Sequence, residues 1–300
     1  MKIIDAHHHY WDPEVNYHPW LRDEPMIPFR YGDYSSIRQR FLVDEYDLAS
    51  FQWDIVGSVT MEGEWDPADP TGEAIWMQSL ADRSGKPSAH VAQAWLDHDN
   101  LAEVLDVITS LSLVKSIRHK PRANPAPGGH PGGLSDRAFR EGFRKLGQTH
   151  LMFDLQTPWW HLNEVAAFAD FAPDVPIILN HTGLPSDRSE SGISGWSAAM
   201  KALSRLPQVY VKISGLGLLG RPWHLNDNRD IIRQTIDMFS PERAMFASNY
   251  PVDGLCGSFD TIFSGFDAAT SDFDQSERAA LFHGTAARLY GIELDLQTDA

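Results

Sequence analysis

Short apolar segments alternate with longer amphipathic ones along the whole chain, and this alternation constrains the fold more than any other feature. Eight segments are typical of strands, because they are short, rich in β-branched and aromatic residues, and apolar on both faces. They span residues 2–5, 55–61, 89–95, 114–119, 150–156, 175–181, 209–215 and 244–250. Such strands predict a parallel sheet covered by helices.

The amphipathic segments between these strands predict helices. Their ranges are 72–83, 100–111, 136–146, 163–171, 196–206, 229–239 and 275–290. Eight strands that alternate with helices predict an α/β fold, namely a (β/α)8 TIM barrel formed by a single domain over residues 1–300. A doubly wound open sheet is the alternative. It lacks support, because no Gly-x-Gly-x-x-Gly turn follows an early strand.

The charge balance excludes several classes of partner. The 300 residues include 25 Lys and Arg against 41 Asp and Glu, a formal net charge of −16. Nucleic acids and membrane surfaces bind basic faces, so neither is expected as a partner. A small-molecule substrate is expected, and a homo-oligomer stays open. The single Cys256 cannot form an intrachain disulfide, and the lack of a leader or a long apolar run predicts a cytoplasmic protein.

The first predicted strand ends in Asp5-x-His7-x-His9. Alternate side chains of a strand share a face, so these three are expected to point one way and His8 the other. Neutral imidazole binds divalent metals and can also donate a hydrogen bond to a carbonyl oxygen. Because TIM barrels carry their chemistry at the carboxyl ends of the strands, His7 and His9 are predicted active-site residues.

Two long loops are expected over the same end of the barrel. Residues 10–50 include Trp11, Tyr17, Trp20, Phe29, Tyr31 and Tyr34 amid prolines, and residues 120–134 are rich in Pro and Gly. Loops of this length in a compact domain are usually binding loops, lids or disordered segments. The aromatic content of the first loop predicts that it packs over the barrel mouth.

Several stretches, taken in order, resemble the amidohydrolase superfamily, and specifically its amidohydrolase-2 branch. The opening Asp-Ala-His-His-His-Tyr-Trp-Asp-Pro at residues 5–13 carries the resemblance first. Further matching stretches lie at residues 116–119, 153–156, 179–183, 211–216, 246–252 and 282–288. Within that branch the chain is similar to the lactonases, a group that includes 2-pyrone-4,6-dicarboxylate lactonase and L-fuconolactonase.

The resemblance implies a distorted TIM barrel that hydrolyses a ring ester. His7, His9 and His181 would surround the carbonyl oxygen of the substrate. In some relatives these histidines hold one zinc ion, and in the pyrone lactonase they polarise the carbonyl without metal. An aspartate after the eighth strand usually acts as general base on the attacking water.

This chain departs from the family at that aspartate. The family commonly has Ser-Asp-Trp-Pro-Val, whereas this chain has Asn249 within Ser-Asn-Tyr-Pro-Val-Asp. An amide cannot accept a proton near neutral pH, so the base would be Asp253, Asp5 or Glu62, or hydrolysis by the usual route is lost. The change also removes an anionic metal ligand, so zinc at the three histidines stays open.

Other strand ends and loops supply candidate substrate-binding residues. Arg118 is expected to bind a substrate carboxylate or hydroxyl, because its fork matches carboxylates, and an ordinary salt bridge is the alternative. Lys212 is expected to point into the barrel with Glu62 or Asp253 as partner. Trp159, Trp223 and Tyr250 follow strands and are candidates to stack on a ring, with packing among loops as the alternative.

These observations predict a hydrolase, most specifically a lactonase that opens a small polar cyclic ester. A lyase of the decarboxylase or hydratase type is one alternative, since such enzymes use related barrels with a firmly held metal. A binding protein that has lost its catalytic base at Asn249 is the other.

Overall fold

Eight parallel strands surround a common axis in the computed structural model, which describes residues 1–294. They pair in chain order. They are β1 Lys2–His8, β2 Asp54–Met61, β3 Ala89–Gln93, β4 Val114–Arg118, β5 Met152–Leu155, β6 Ile177–Leu179, β7 Val209–Ile213 and β8 Ala244–Phe246. The (β/α)8 barrel predicted from the alternating pattern is confirmed. Several strands are shorter than predicted, because their polar carboxyl ends leave the sheet to line the barrel mouth.

Helices cover the outside of this barrel. They are α1 Pro19–Arg22, α2 Val43–Ser50, α3 Gly72–Ser84, α4 Leu101–Thr109, α5 Arg137–Leu146, α6 Val165–Ala169, α7 Glu190–Leu203, α8 Leu225–Phe239, α9 Phe259–Ala269, α10 Gln275–Ala279 and α11 Thr285–Tyr290. Short 3₁₀ turns lie at Ser35–Ile37, Gly133–Ser135, Trp159–Glu164, His181–Gly183, Pro241–Arg243 and Val252–Leu255. The sequence did not predict α1, α2 or α9, and a π-helical turn at Ala280–Gly284 divides the last predicted helix. No helix within residues 1–294 has the length and apolarity needed to cross a bilayer.

The strands are buried on both faces, as the apolar runs predict. One face contributes to a core inside the barrel, where Ile4, Val59, Val91 and Met245 pack together. The other face packs against the surrounding helices in a larger cluster. The polar strand ends are thus held at the mouth by two apolar layers.

A β-bulge in β1 turns Asp5 to a different face from the one predicted. The register with β2 runs from Asp5 opposite Ser58 to His8 opposite Thr60, so β1 holds one extra residue there. Such a bulge breaks the alternation of side chains. Asp5 and His8 both contact Tyr46 of α2, through a 3.0 Å hydrogen bond from the Tyr46 hydroxyl and through ring stacking at 4.3 Å. Asp5 therefore does not share a face with His7.

Asp5 instead helps to close the barrel between β1 and the segment that follows β8. Its carboxylate accepts hydrogen bonds from the Ser248 backbone N–H at 2.8 Å and the Ser248 hydroxyl at 2.6 Å. Two backbone bonds continue the closure, from Asn249 N to His7 O and from His9 N to Tyr250 O, each 2.7 Å long. Burial raises the pKa of Asp5 to about 6 despite these donors.

Lys212 of β7 lies in the barrel interior, away from the mouth. It is fully buried, and its Nζ is 2.7 Å from Oδ1 of Asp154 on β5. Asp154 also accepts hydrogen bonds from Asn180 Nδ2 and the Tyr290 hydroxyl. The predicted partners of Lys212, Glu62 and Asp253, are both engaged elsewhere. The predicted substrate-binding role of Lys212 is corrected, because this network places its ammonium group within the core.

Breaking this pair is expected to destabilise the fold. Lys212→Met leaves the Asp154 carboxylate buried without a counter-charge, so the free energy of unfolding in urea should fall by about 3–5 kcal/mol. The double variant Lys212→Met/Asp154→Leu should recover most of the loss. Lys201→Met, on the exposed face of α7, is the control. A Lys212→Met variant as stable as this control would contradict a structural role for the pair.

Candidate active site

A cavity of about 200 Å³ lies at the barrel mouth, where several strands end; we call it the inner cavity. Strand ends and the loop at residues 10–50 both contribute to its wall, as predicted for that loop. The lining residues are His9, Trp20, Ile27, Phe29, Arg30, Glu62, Gly63, Glu64, Arg118, Lys120, Gln156, His181, Asn249 and Val252.

Three imidazoles come together at this cavity. The ring centroid of His7 is 5.3 Å from that of His9 and 4.5 Å from that of His181. His181 follows β6, where His181 and Thr182 both adopt the left-handed backbone conformation, with φ of 55° and 51°. Non-glycine residues rarely adopt this conformation, so the chain turns sharply there at a cost in backbone energy. The structure thus brings together the histidines on which the sequence analysis depends.

These imidazoles are neutral, because burial lowers the pKa of His7, His9 and His181 well below the ordinary value. His9 Nδ1 lies 3.1 Å from the carbonyl oxygen of Met61. A carbonyl only accepts, so Nδ1 carries the proton and Nε2 offers a lone pair. His181 Nδ1 is 2.9 Å from the Ser214 hydroxyl, which can donate to it and so leave the proton on Nε2.

His7 differs from its two neighbours in its hydrogen bonding. Both of its ring nitrogens are buried and lack a hydrogen-bond partner within residues 1–294. Unpaired buried polar atoms are rare in folded proteins, because they lose hydration without compensation. The His7 ring lies against His9 and His181, which line the cavity, but it is not itself part of the cavity lining.

Asp253 lies one layer behind the inner cavity. Its Oδ1 accepts hydrogen bonds from Asn249 Nδ2 at 2.6 Å and from the Tyr31 hydroxyl at 2.9 Å, and Arg30 approaches to 3.7 Å. Burial raises the pKa of Asp253, opposed by Arg30 and these donors. Asn249 lines the cavity in front of it. Asn249 Nδ2 donates one of its two N–H groups to Asp253, so its carbonyl oxygen and the second N–H are the groups it can offer to the cavity.

Glu62 is ionised and bound to Arg118. Burial favours protonation, but the charges of Arg118 and Lys120 and the surrounding hydrogen bonds outweigh it and lower the pKa of Glu62 to about 2. Arg118 donates to Glu62 Oε1, to the Glu62 backbone oxygen and to Gln156 Oε1. Three of its five N–H groups are thereby used within the described residues, which leaves two for a ligand. Its role in binding a substrate carboxylate stays a prediction.

Arg30 is a cation of the inner cavity that the sequence analysis missed. Its side chain is 30% exposed, lines the cavity and lies over the Tyr31 ring at 4.6 Å. The only signal in the sequence was its position within the loop expected over the mouth. A loop residue shows no periodicity from which its direction could be predicted.

A larger cavity of about 460 Å³ adjoins the inner one; we call it the outer cavity. Trp20 lines both, and Trp65 and Trp95 line the outer cavity. These three tryptophans were not among the predicted substrate-binding residues. Trp65 and Trp95 lie in the loops after β2 and β3, and Trp20 lies in the short helix α1. Aromatic residues in such connections pack in either direction.

The aromatic residues predicted to stack on a substrate line neither the inner nor the outer cavity. Trp159 packs on Gly195 of α7, and Trp223 packs on Gly265 of α9. The Tyr250 hydroxyl donates to the Gly257 backbone oxygen. Trp159 and Trp223 thus fill gaps beside helices, whereas Tyr250 lines a separate cavity with Phe41 and Pro251. Their stacking on a substrate stays a prediction.

The donors at the three histidines do not fit a zinc centre as they stand. Within residues 1–294, no group of three or more His, Cys, Asp or Glu side chains is arranged to hold a metal ion. Asn249 offers no carboxylate beside them. The Nδ1 hydrogen bonds of His9 and His181 are compatible with coordination through Nε2, and both His7 nitrogens lack partners, so the donor that is missing is an anionic one. Zinc binding stays a prediction.

Comparisons with known proteins agree with the fold. A family model described as Amidohydrolase matches residues 4–292. The uncharacterized protein y4mH of Sinorhizobium fredii is 37% identical over 296 residues, which cover 97% of this chain and 99% of that protein. An L-fucono-1,5-lactonase of Burkholderia multivorans is 32% identical over 171 residues, which cover 53% of this chain and 57% of the lactonase.

Solved structures share the barrel. An amidohydrolase from Burkholderia multivorans with bound HEPES has a TM-score of 0.78 at 25% identity, covering 98% of this chain and 100% of its own. A second crystal form with bound zinc also has a TM-score of 0.78, at 24% identity and the same coverage. A 2,6-dihydroxybenzoate decarboxylase from Rhizobium has a TM-score of 0.67 at 14% identity, covering 97% and 99%. At these identities the last two indicate a common fold alone.

The charge and tautomer of His9 can be measured directly. Two-dimensional ¹H–¹⁵N spectra of the histidine rings should show His9 neutral at pH 7 and protonated on Nδ1, with a midpoint well below 6.5, because burial lowers its pKa. N-acetylhistidine amide, measured under the same conditions, provides the reference shifts. A midpoint for His9 above pH 6, or a proton on Nε2, would contradict this assignment.

Proposed function

Because the chain belongs to the amidohydrolase family, we propose that it is a hydrolase that opens a small polar lactone by attack of water on the ring ester. The observation that carries the proposal is the pair of neutral imidazoles lining the inner cavity. His9 offers a lone pair there, and His181 can offer an N–H. Ester hydrolysis needs one of each, a donor for the carbonyl oxygen and an acceptor for the attacking water. The relatives named L-fucono-1,5-lactonase support a lactone as the ester.

On the electrophile side, His181 donates its Nε2 proton to the carbonyl oxygen of the ring ester. That oxygen becomes negatively charged as water attacks, and a donor already in place stabilises it without further reorganisation. In this arrangement the Ser214 hydroxyl, 2.9 Å from Nδ1, is the donor of that hydrogen bond. Arg30 lies at the same cavity and adds a positive charge beside the oxyanion.

On the water side, His9 Nε2 and Asn249 Oδ1 accept hydrogen bonds and orient the nucleophile. Neither is an efficient base, because burial lowers the pKa of His9 and an amide does not take up protons. We assign the general-base role to Asp253, whose pKa burial raises, instead of Glu62, whose pKa is about 2. Asp253 lies behind Asn249, and an amide cannot relay a proton. The assignment therefore requires water to contact the Asp253 carboxylate directly, and the proton that Asp253 takes up returns to the ring oxygen as the C–O bond breaks.

No step in this mechanism involves a metal. In the family a bound zinc would act as a Lewis acid on the carbonyl oxygen. Here His181 and Arg30 are assigned that task. Activity that depends on stoichiometric zinc would instead indicate metal-assisted hydrolysis, or the lyase alternative.

A lactone panel tests the proposal. Protein purified without added metal, and analysed for zinc, is expected to release acid from 1,4- or 1,5-lactones of sugar acids, followed with a pH indicator. His181→Ala should lower kcat/KM by roughly 100-fold or more, as losing one oxyanion donor does. His150→Ala, an exposed histidine, is the matched control. Absence of turnover across the panel, or full activity in His181→Ala, would refute the proposed reaction.

The pH dependence tests Asp253. A base must be ionised, so activity should fall as the pH drops through the raised pKa of Asp253. Asp253→Asn should lower kcat by about 10²–10⁴-fold and remove this acidic limb. The double variant Asn249→Asp/Asp253→Asn moves the carboxylate to the cavity wall and should show the acidic limb again. An acidic limb that persists unchanged in Asp253→Asn would assign proton transfer to His9. Turnover that appears only in Asn249→Asp would indicate a binding protein.

A further inference from the structure

The outer cavity adjoins the inner cavity and is more than twice its volume, about 460 Å³ against 200 Å³. The two share part of their walls. The shared residues are Trp20, Ile27, Glu62, Glu64, Arg118 and Lys120. A single lactone ring held beside His9 and His181 would occupy the inner cavity and leave the outer one for a second group.

The walls of the outer cavity favour a flat ring. Trp20, Trp65 and Trp95 line it from three different segments. Trp20 donates its indole N–H to the Gly63 backbone oxygen at 2.8 Å, and its ring stacks on Phe29. Its position is therefore fixed before a ligand arrives. Indole faces bind aromatic rings and the carbon faces of sugars with little loss of side-chain freedom.

Gln93 supplies a polar anchor in the same cavity. It is the last residue of β3, it lines the outer cavity, and it is only 5% exposed. Its side-chain Nε2 has no hydrogen-bond partner within the described residues. A buried N–H without a partner is uncommon. An acceptor oxygen on the bound ring would satisfy it.

The charges around the outer cavity disfavour an anionic group. Within residues 1–294, the two cationic side chains of its wall are paired, Arg118 with Glu62 and Lys120 with Glu64. Asp23 adds a negative charge, and its carboxylate accepts a hydrogen bond from the Tyr17 hydroxyl. Arg30 lines the inner cavity instead. An uncharged ring thus fits the outer cavity better than a carboxylate.

We propose that the outer cavity is a second substrate subsite, which binds an uncharged six-membered ring carrying an acceptor oxygen and attached to the lactone. This inference rests on the proposed lactonase function and specifies its substrate class, a two-ring lactone. A pyranose and an oxygen-substituted aryl group share the required flat face and acceptor. The experiment separates these two sources.

Kinetics on matched pairs of lactones test the subsite. Cellobiono-1,5-lactone is compared with glucono-1,5-lactone, and 6-(4-methoxyphenyl)-δ-valerolactone with δ-valerolactone. At least one two-ring lactone should exceed its single-ring partner in kcat/KM by about tenfold or more, mainly through a lower KM. The pair with the larger ratio identifies the second ring as glycosyl or aryl. Ratios near one for both pairs would overturn the proposal.

Variants localise the effect. Trp65→Ala and Trp95→Ala should each lower the two-ring to single-ring ratio, and Gln93→Leu should lower it through loss of the anchor to the ring oxygen. Trp53→Ala is the matched control. Trp53 directly precedes β2, and its indole N–H donates to Asp260 of α9. A ratio that falls equally in the control, or that none of the three cavity variants changes, would contradict the assigned location.

Binding separates failure of the subsite from failure of the reaction. Cellobionolactam and the δ-lactam of the methoxyphenyl compound resist hydrolysis, so their affinities can be measured by calorimetry whether or not any lactone is turned over. Tighter binding of a two-ring lactam than of its single-ring partner, lost in Trp65→Ala, supports the subsite even if the reaction is not lactone hydrolysis. Equal affinities overturn the subsite even where lactones are hydrolysed.

Discussion

Closure of the barrel between its first and last strands is the interaction on which the site depends. Asp5 accepts two hydrogen bonds from Ser248, and the backbone bonds that follow join His7 and His9 to Asn249 and Tyr250. Without this contact, residues more than 200 positions apart would not share a cavity. The closure requires a buried carboxylate, whose desolvation is reflected in a pKa of about 6.

Burial also sets the chemistry of the mouth, and it acts in opposite directions on its acids and bases. It keeps the imidazoles neutral, so each ring offers one donor and one acceptor whose positions depend on its neighbours. It raises the pKa of Asp253, whereas Arg118 holds Glu62 ionised in spite of burial. Two carboxylates near the same cavity thus differ in basicity, and this difference determines which one is assigned as the base.

The local patterns predicted the barrel well and its details less well. Apolar strands and amphipathic helices are detected because burial imposes a period on the sequence. The prediction that Asp5 shares a face with His7 was wrong, because a single extra residue in β1 reverses the alternation of side chains after it. The predicted partners of Lys212 were also wrong. Its counter-charge is Asp154, which lies two strands away in the barrel, and sequence spacing does not indicate such pairs. The same limit applies to the tryptophans, whose loops decide whether a ring faces the mouth or a helix.

The sequence by itself determined the order of strands and helices, the residues at the strand ends and the replacement of an acid by Asn249, because these follow from local periodicity and residue chemistry. Only the tertiary structure decided which of those residues meet. It grouped three histidines, placed Asp253 behind Asn249, paired Arg118 with Glu62 and brought Arg30 and Trp20 over the mouth. The physical reason is that burial and pairing depend on contacts between distant segments, which exist only once the barrel has closed.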